Sequence, residues 1–466
     1  MKRRAALVWL VVFAVYAGTL GLRAFGYSQY AAGEPLNLLT AKSLVEDGDI
    51  NVFDDYRDRA YRAFYPYPLA SSGSIDRPRA VLYDTTGAGF PLLIAPAYWI
   101  GGGHGVELFL AALAALAVAL AYLLALRVAP DPWALGATLA VGLSPPFLAY
   151  GTAVYPELAA GALLAGSALL ALAAAETPSR AHVFGSFALL ALLPWLGLRF
   201  VPAGLVIAGL LIRRLRASRH GLLALIGAEV IGFSAALYVG VNEGLYGGLT
   251  PYSAAPPGHS PTGASSVGDY ADRVYRLGAL LIDRDYGLLR WSPVLALALV
   301  GAWLVWRGRR ERLAAAVSGY AAMSSAAGLC AAVLLVQYVV AAFLAPTIFG
   351  LWFPGRQLMA ALPLAIPLTA WGLRHAARIG SALALIGLAA SAWLYVDVRL
   401  GGGLAAGRPD APWGPLVHAF PLFDGSAWSN AVAAAIAAGI ALFVWWDERQ
   451  WRRLTTLGYP AAARRV

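Results

Sequence analysis

The stretch LFLAALAALAVALAYLLAL, from Leu108 to Leu126, decides the fold class, because it carries no charge over a length that crosses a bilayer as a helix. Similar runs recur throughout the 466 residues, of which 60% are apolar and 13% charged, against a usual charged share of roughly 25%. A soluble domain could not bury so much apolar surface. The sequence therefore predicts one all-α, polytopic membrane domain over residues 1–466, and excludes a cytosolic enzyme, a disulfide scaffold and a disordered protein.

About twelve apolar segments are predicted to span the membrane. The region 182–212 is interpreted as two short spans that turn at residues 194–199, and the region 313–345 as one tilted helix or two pieces. The predicted spans are 5–22, 106–126, 133–150, 158–175, 182–197, 199–212, 220–240, 288–306, 313–340, 357–373, 380–397 and 429–446.

The basic residues are distributed unevenly between the two sides. If the N-terminus and the even-numbered connections are cytoplasmic, these segments hold 20 of the 35 basic residues but only five of the 25 acidic ones. This is the positive-inside pattern, so the net charge of +10 reflects orientation in the membrane and does not argue for nucleic acid binding. Both termini are then predicted to be cytoplasmic, the first span is retained rather than cleaved as a signal peptide, and three long loops lie outside: 26–104, 241–287 and 398–428.

The first outer loop contains a predicted surface helix. Leu36, Leu39 and Leu44 follow one another at helical spacing, and Pro35 stands where a first-turn proline is favoured. The sequence predicts an amphipathic helix on the membrane surface with Glu34 at its N-terminus. Glu34 is either an ordinary helix N-terminal charge or a general base held above the membrane.

Other carboxylates follow in the same loop. Asp54 and Asp55 lie among alternating charges, a pattern typical of a solvated surface. Asp84 precedes a glycine-containing turn at residues 87–89, where the chain returns to apolar sequence.

Further charged residues stand at the outer ends of the predicted spans. An arginine there is commonly an interfacial anchor, whereas several arginines and carboxylates at one depth also suit an anionic headgroup. The candidates for headgroup binding are Glu157, Arg199, Arg284, Arg290 and Arg356.

Common catalytic and cofactor motifs are absent from the sequence. It contains no Walker A pattern, no His-Glu-x-x-His, no paired cysteine and no Gly-x-Ser-x-Gly. No cofactor is predicted. A divalent metal held by outer carboxylates is an open alternative that no motif supports. The lack of a soluble nucleotide-binding domain argues against a nucleotide-sugar donor.

Seven stretches together resemble the GT-C class of integral-membrane glycosyltransferases, the relatives of protein mannosyltransferases and of lipid A aminoarabinose transferases, and most closely its bacterial members. Each stretch is weakly specific, but they occur in the expected order from the first loop to the tenth span. They are Gly33-Glu34-Pro35 to Asp49, Gly89-Phe90-Pro91 to Gly101, Tyr155-Pro156-Glu157, Leu193-Pro194-Trp195-Leu196 to Phe200, Asn242 to Gly247, Gly287-Leu288-Leu289 to Pro293, and Arg356 to Pro363.

The resemblance implies an enzyme of the bacterial cytoplasmic membrane that works on its outer face. Such enzymes transfer a sugar from a polyprenyl-phosphate carrier to a glycan, lipid or protein acceptor, usually with inversion. Their first outer loop normally carries an Asp-Glu pair with the Asp as general base, a His often precedes the second motif, and Arg and Lys residues hold the lipid phosphate.

This sequence departs from that pattern at two positions. Gly33 stands where the family has the Asp of the pair, and Thr86 stands at the position that often holds His. Either Glu34 or a neighbour such as Asp84, Asp54 or Asp55 supplies the carboxylate, or the protein has lost transfer and retains only lipid binding. The alternative from another class is a lipid or lipid-linked-sugar transporter, for which Glu229 is the candidate mid-span carboxylate.

Overall fold

The structure, a computed structural model, describes residues 2–31, 33–308, 318–405 and 412–456. Within these ranges every regular element is helical and no strand occurs. The helices are α1 (Lys2–Ala17), α2 (Glu34–Glu46), α3 (Phe53–Arg57), α4 (Gly89–Ala125), α5 (Trp133–Gly142), α6 (Pro145–Tyr150), α7 (Glu157–Glu176), α8 (Arg180–Ala191), α9 (Leu193–Leu196), α10 (Val201–Ala217), α11 (Gly221–Tyr246), α12 (Gly268–Ala271), α13 (Arg276–Ile282), α14 (Leu288–Trp291), α15 (Ala296–Gly308), α16 (Ser318–Val339), α17 (Ala365–His375), α18 (Ala377–Arg399) and α19 (Ala427–Thr456).

Five apolar segments of the described chain are long enough to cross a membrane. They begin at α4, α7, α11, α16 and α18. Shorter apolar helices accompany them, among them α5 and the pair α8–α9. The chain is thus helical and suited to a membrane environment, while the number of twelve crossings stays a prediction.

The predicted turn within residues 182–212 is confirmed. Helix α8 ends at Ala191, and α9 follows it and ends before Gly197, whose φ of 152° lies outside the range that residues with a side chain readily adopt. A single 3₁₀ turn, Leu198–Phe200, then leads into α10. Arg199 is thereby placed at the tip of a helical hairpin.

The first outer loop differs from the prediction in two respects. Helix α2 is present, but it is not amphipathic: Pro35, Asn37, Leu38 and Thr40 are buried on different faces, because α2 packs directly against α4. Residues 89–104 of the predicted loop are also largely helical, since α4 already begins at Gly89 and is interrupted only by non-helical backbone at residues 101–102.

The region 313–345 forms one continuous helix where it is described. Helix α16 begins at Ser318 and continues as a π-helical turn, Val340–Leu344. In the loop predicted at 241–287, α11 extends to Tyr246 before the chain leaves the helix. The loop predicted at 398–428 runs between α18 and α19, and its residues 406–411 lie outside the described ranges.

Helices α15 and α17 cross at two facing glycines. A methyl group on Gly301 would stand 2.0 Å from the carbonyl oxygen of Leu368, and one on Gly372 would stand 2.2 Å from that of Leu297. Such backbone contact is characteristic of helix pairs in membranes, where close packing replaces the hydrophobic effect as the source of association. The crossing positions α17 against α15, and α17 follows the short helical turns that begin at Arg356.

Candidate functional site

A cavity of about 370 Å³ opens between the first outer loop and the ends of several helices. This volume lies in the range of small-molecule binding sites. Part of its wall is apolar, formed by residues such as Phe90, Leu196 and Leu344. Gly33 also lines the cavity, and the polar part of the wall includes Thr86, Arg199, Gln337, Arg356 and Gln357.

Three of the predicted headgroup-binding residues meet at this wall. Oε1 of Glu157 accepts a hydrogen bond from Nη2 of Arg199 at 2.8 Å and another from Nε of Arg356 at 2.9 Å. Glu157 is the first residue of α7 and is only 1% exposed. Its second oxygen, Oε2, is buried without a partner among the described residues.

Aromatic rings hold the two guanidinium groups in place. The guanidinium carbon of Arg356 lies 3.8 Å from the ring centre of Tyr155 and 4.9 Å from that of Trp352. That of Arg199 lies 4.9 Å from the ring centre of Phe200. Stacking of this kind fixes a planar guanidinium and leaves its remaining N–H groups free to point elsewhere.

Glu157, Arg199 and Arg356 form a group, called here the Glu157 cluster, whose three charges sum to one positive charge. Two guanidinium groups share one carboxylate, and among the described residues that line the cavity Arg199 and Arg356 are the charged ones. A charge that is partly withdrawn from water is costly unless it is paired. The arrangement therefore favours an anion in the cavity, and phosphate matches the hydrogen-bonding geometry of arginine.

Two glutamines complete the polar wall, and sequence reasoning missed both. Oε1 of Gln357 lies 3.5 Å from Nη1 of Arg199, and its backbone carbonyl accepts a hydrogen bond from Nε2 of Gln337 at 3.0 Å. Gln337 is an isolated polar residue in the apolar run of α16. A polar side chain within an apolar span is commonly functional, so the sequence could have indicated Gln337 as a candidate site residue.

Glu34 is directed away from this cavity. Its Oε2 accepts a hydrogen bond from the backbone N–H of Ala31 at 2.8 Å. Its Oε1 accepts a hydrogen bond from the backbone N–H of Val154, also at 2.8 Å. The carboxylate borders a separate cavity of about 40 Å³, which is also lined by Glu107, a buried residue that sequence reasoning missed. Burial raises the pKa of Glu34 to about 7, although both backbone donors and the charge of Arg356 oppose that shift.

Asp84 reaches the large cavity through a neighbour. Its Oδ2 accepts the hydroxyl of Thr86 at 2.6 Å, and its Oδ1 accepts the hydroxyl of Ser72 at 2.5 Å and the backbone N–H of Thr86 at 3.1 Å. Asp84 itself is buried, whereas Thr86 is exposed at the cavity wall. The Thr86 hydroxyl thus connects a buried carboxylate with the cavity.

Asp54 and Asp55 lie outside both cavities. Asp54 is exposed on α3, while Asp55 is buried and forms an ion pair with Lys42 at 3.0 Å. Burial raises the pKa of Asp55, and Lys42 opposes that shift. Asp55 thus joins α3 to α2, and neither aspartate borders the Glu157 cluster.

Arg284 and Arg290 form a separate group. Arg290 donates to the backbone carbonyl of Arg284 and stacks over Trp291, with its guanidinium carbon 5.1 Å from the ring centre. The backbone N–H of Arg284 donates to the carbonyl of Pro421 at 2.8 Å. Neither arginine is among the described residues that line the large cavity, so the structure brings together only half of the predicted arginine set.

No group of three or more His, Cys, Asp or Glu side chains suited to a metal ion occurs within the described part of the chain. No protein-family model matches the sequence, and no curated protein or solved structure matches it. The geometry of the cavity and of its wall therefore carries the functional argument.

Proposed function

We propose that this protein is an inverting membrane glycosyltransferase with a GT-C-like fold of about twelve spans. It takes a sugar from a polyprenyl-phosphate carrier and transfers it on the outer face of the bacterial cytoplasmic membrane. The observation that carries the proposal is the pair of guanidinium groups, Arg199 and Arg356, that share one oxygen of Glu157 at the wall of a 370 Å³ cavity.

The carrier matches both parts of the cavity wall. Its phosphate supplies the negative charge that balances the Glu157 cluster, and its prenyl chain suits the apolar wall near Phe90, Leu196 and Leu344. Phosphate is also a good leaving group, so the transfer needs no separate general acid. The two arginines stabilise the charge that builds on the phosphate as the bond to the sugar breaks.

The carboxylate that takes the acceptor's proton is Asp84, acting through Thr86. The acceptor hydroxyl gives its proton to Oγ1 of Thr86, while the proton of Thr86 passes to Oδ2 of Asp84, 2.6 Å away. The acceptor oxygen forms a bond to the anomeric carbon, and the electron pair of the broken bond leaves with the carrier phosphate. Glu34 is less suited to this step, because both of its oxygens accept backbone N–H groups.

The proposal is tested by the binding of polyprenyl phosphate to purified protein in lipid nanodiscs. Arg199→Lys and Arg356→Lys keep the charge but lose the planar fork, and each is expected to weaken binding about 10-fold. Arg284→Lys is the matched control, since Arg284 does not line the cavity. Equal affinity in all four proteins, or weakening in the control alone, rejects the Glu157 cluster as the phosphate site.

A second candidate is a relative that binds the lipid phosphate without transferring sugar. It is favoured by one observation: the described residues that line the cavity include no carboxylate. Release of labelled sugar from a polyprenyl-phosphate donor distinguishes the two candidates. The transport alternative is weaker, because Glu229 lies exposed on the outside of α11 and not in the interior as expected.

A further inference from the structure

Gln337 has one buried hydrogen-bond acceptor that is not used. The residue is 1% exposed, and its Nε2 donates to the carbonyl of Gln357 at 3.0 Å. Its Oε1 has no partner among the described residues. Leaving such an atom unpaired costs about 1–3 kcal/mol, so native proteins seldom tolerate it without a reason.

The position of Gln337 indicates what pairs with this acceptor. Gln337 lines the same 370 Å³ cavity as Arg199 and Arg356. Gln357 connects Gln337 with Arg199. Its backbone carbonyl accepts the hydrogen bond from Gln337, and its Oε1 lies 3.5 Å from Nη1 of Arg199. The side chain that carries the unpaired acceptor therefore lines the cavity close to Arg199.

The chemistry of the two neighbouring groups is complementary. The arginines donate hydrogen bonds and attract negative charge, whereas the Gln337 carbonyl accepts a hydrogen bond and cannot bind phosphate oxygens. A ligand that satisfies both carries an anionic group next to a hydroxyl or amine. A phosphate joined to a sugar has this pattern, but a phosphate joined to a prenyl chain alone does not once its second ionisation, with a pKa of about 6, is complete.

We propose that Oε1 of Gln337 accepts a hydrogen bond from a hydroxyl group of the sugar attached to the carrier phosphate. Gln337 thereby distinguishes the sugar-loaded carrier from the bare carrier that remains after transfer. This inference rests on the proposed function, because it takes the phosphate to lie at Arg199 and Arg356. A site built around a polar group discriminates strongly against a ligand that leaves the group unpaired.

The test compares two forms of the carrier, bare and sugar-loaded, in three proteins. Polyprenyl phosphate and its β-glucosyl and β-mannosyl esters are titrated against the parent, Gln337→Met and Gln337→Glu. The parent is expected to bind at least one ester about 10-fold more tightly than bare polyprenyl phosphate. Gln337→Met, which has a similar shape but no acceptor, is expected to bind bare carrier like the parent and to lose the preference. Gln337→Glu retains an acceptor and is expected to keep the ratio, with both affinities lowered by its charge.

The outcomes separate this inference from the proposed function. A parent that binds the bare carrier through its arginines but shows no preference for either ester overturns the role of Gln337 alone. The same holds if Gln337→Met keeps the preference of the parent. A parent that binds neither form, or binds both regardless of Arg199 and Arg356, overturns the proposed function as well.

Discussion

The hydroxyl of Thr86 donates to Oδ2 of Asp84 at 2.6 Å, and this bond links the buried carboxylate to the wall of the large cavity. The same carboxylate accepts two further hydrogen bonds through Oδ1. Thr86 therefore connects the buried Asp84 with the surface of the cavity.

If the protein is a transferase in which Thr86 passes the proton, Thr86→Val is expected to lower the transfer rate by about 100-fold, because the shape is kept and the hydroxyl is lost. The loss of one hydrogen bond reduces stability by only ~1 kcal/mol. Thr86→Ser retains the hydroxyl and serves as the control. Single-turnover transfer is measured alongside carrier binding. If the Val variant loses carrier binding in parallel with rate, Thr86 only supports the loop.

Gly33→Asp places a carboxylate at the cavity wall at little structural cost. Gly33 has a φ of −82°, and a methyl group added there meets nothing within 4 Å. If the protein is a transferase, we expect this change to raise transfer at least ~10-fold by adding a second base. Gly33→Asn has the same shape and caps α2 equally well, so the two variants should be equally stable. A similar gain in both variants would exclude a role for the new charge.

Glu34 is predicted to make stability depend on pH. Because burial raises its folded-state pKa from 4.5 to about 7, its contribution to stability is present below about pH 4.5 and is lost as the pH rises through about 7. Glu34→Gln should flatten the fall in apparent Tm across this interval. Glu46→Gln, at the exposed end of the same helix, should preserve it. Identical profiles in the parent and Glu34→Gln would contradict the assignment.

Glu157→Gln leaves two guanidinium groups without their counter-charge. Removing one partner of a buried pair typically costs about 3–5 kcal/mol, so the apparent Tm should fall markedly. Polyprenyl phosphate should restore more of the Tm than it adds to the parent, since it supplies the missing negative charge. Glu176→Gln, at the far end of α7 in an exposed pair with Arg127, should change stability by less than ~1 kcal/mol. A Glu157 variant that the ligand does not rescue argues against phosphate at this cluster.

The orientation is tested by cysteine labelling in a Cys330→Ala background. Arg79, whose side chain is 83% exposed, is the outer reporter. Arg213, which is exposed near the end of α10, is the inner reporter. An impermeant maleimide should label Arg79→Cys in intact cells and Arg213→Cys only after permeabilisation. The reverse pattern rejects the assignment of the outer face.

The helical segments and the residues of the Glu157 cluster could be predicted from the sequence. Uncharged runs of sufficient length predict helices directly, and the break at residues 194–199 predicts a hairpin tip. Glu157, Arg199 and Arg356 each stand at the outer end of a predicted span, so the common depth of these residues indicated one site. That Arg199 and Arg356 share one oxygen of Glu157 could not be predicted. A hydropathy pattern does not indicate which helices lie side by side in the membrane.

The same limit explains the errors. Arg284 and Arg290 have the same sequence signal as Arg199, yet they belong to a different group of contacts. The direction of Glu34 depends on Val154, which lies 120 positions away in the sequence. The burial of α2 likewise depends on α4, which covers a helix whose own leucine spacing indicated a membrane surface.

The order of synthesis determines when the Glu157 cluster acquires its charge. Glu157 pairs with residues that lie 42 and 199 positions further along the chain. At the usual rate of ~5–20 residues per second, the first partner leaves the ribosome within roughly 2–8 s and the second after roughly 10–40 s. During that interval Glu157 and Arg199 can form a neutral pair, which a membrane tolerates far better than a lone carboxylate. The net positive charge of the Glu157 cluster therefore appears only when Arg356 arrives, late in translation.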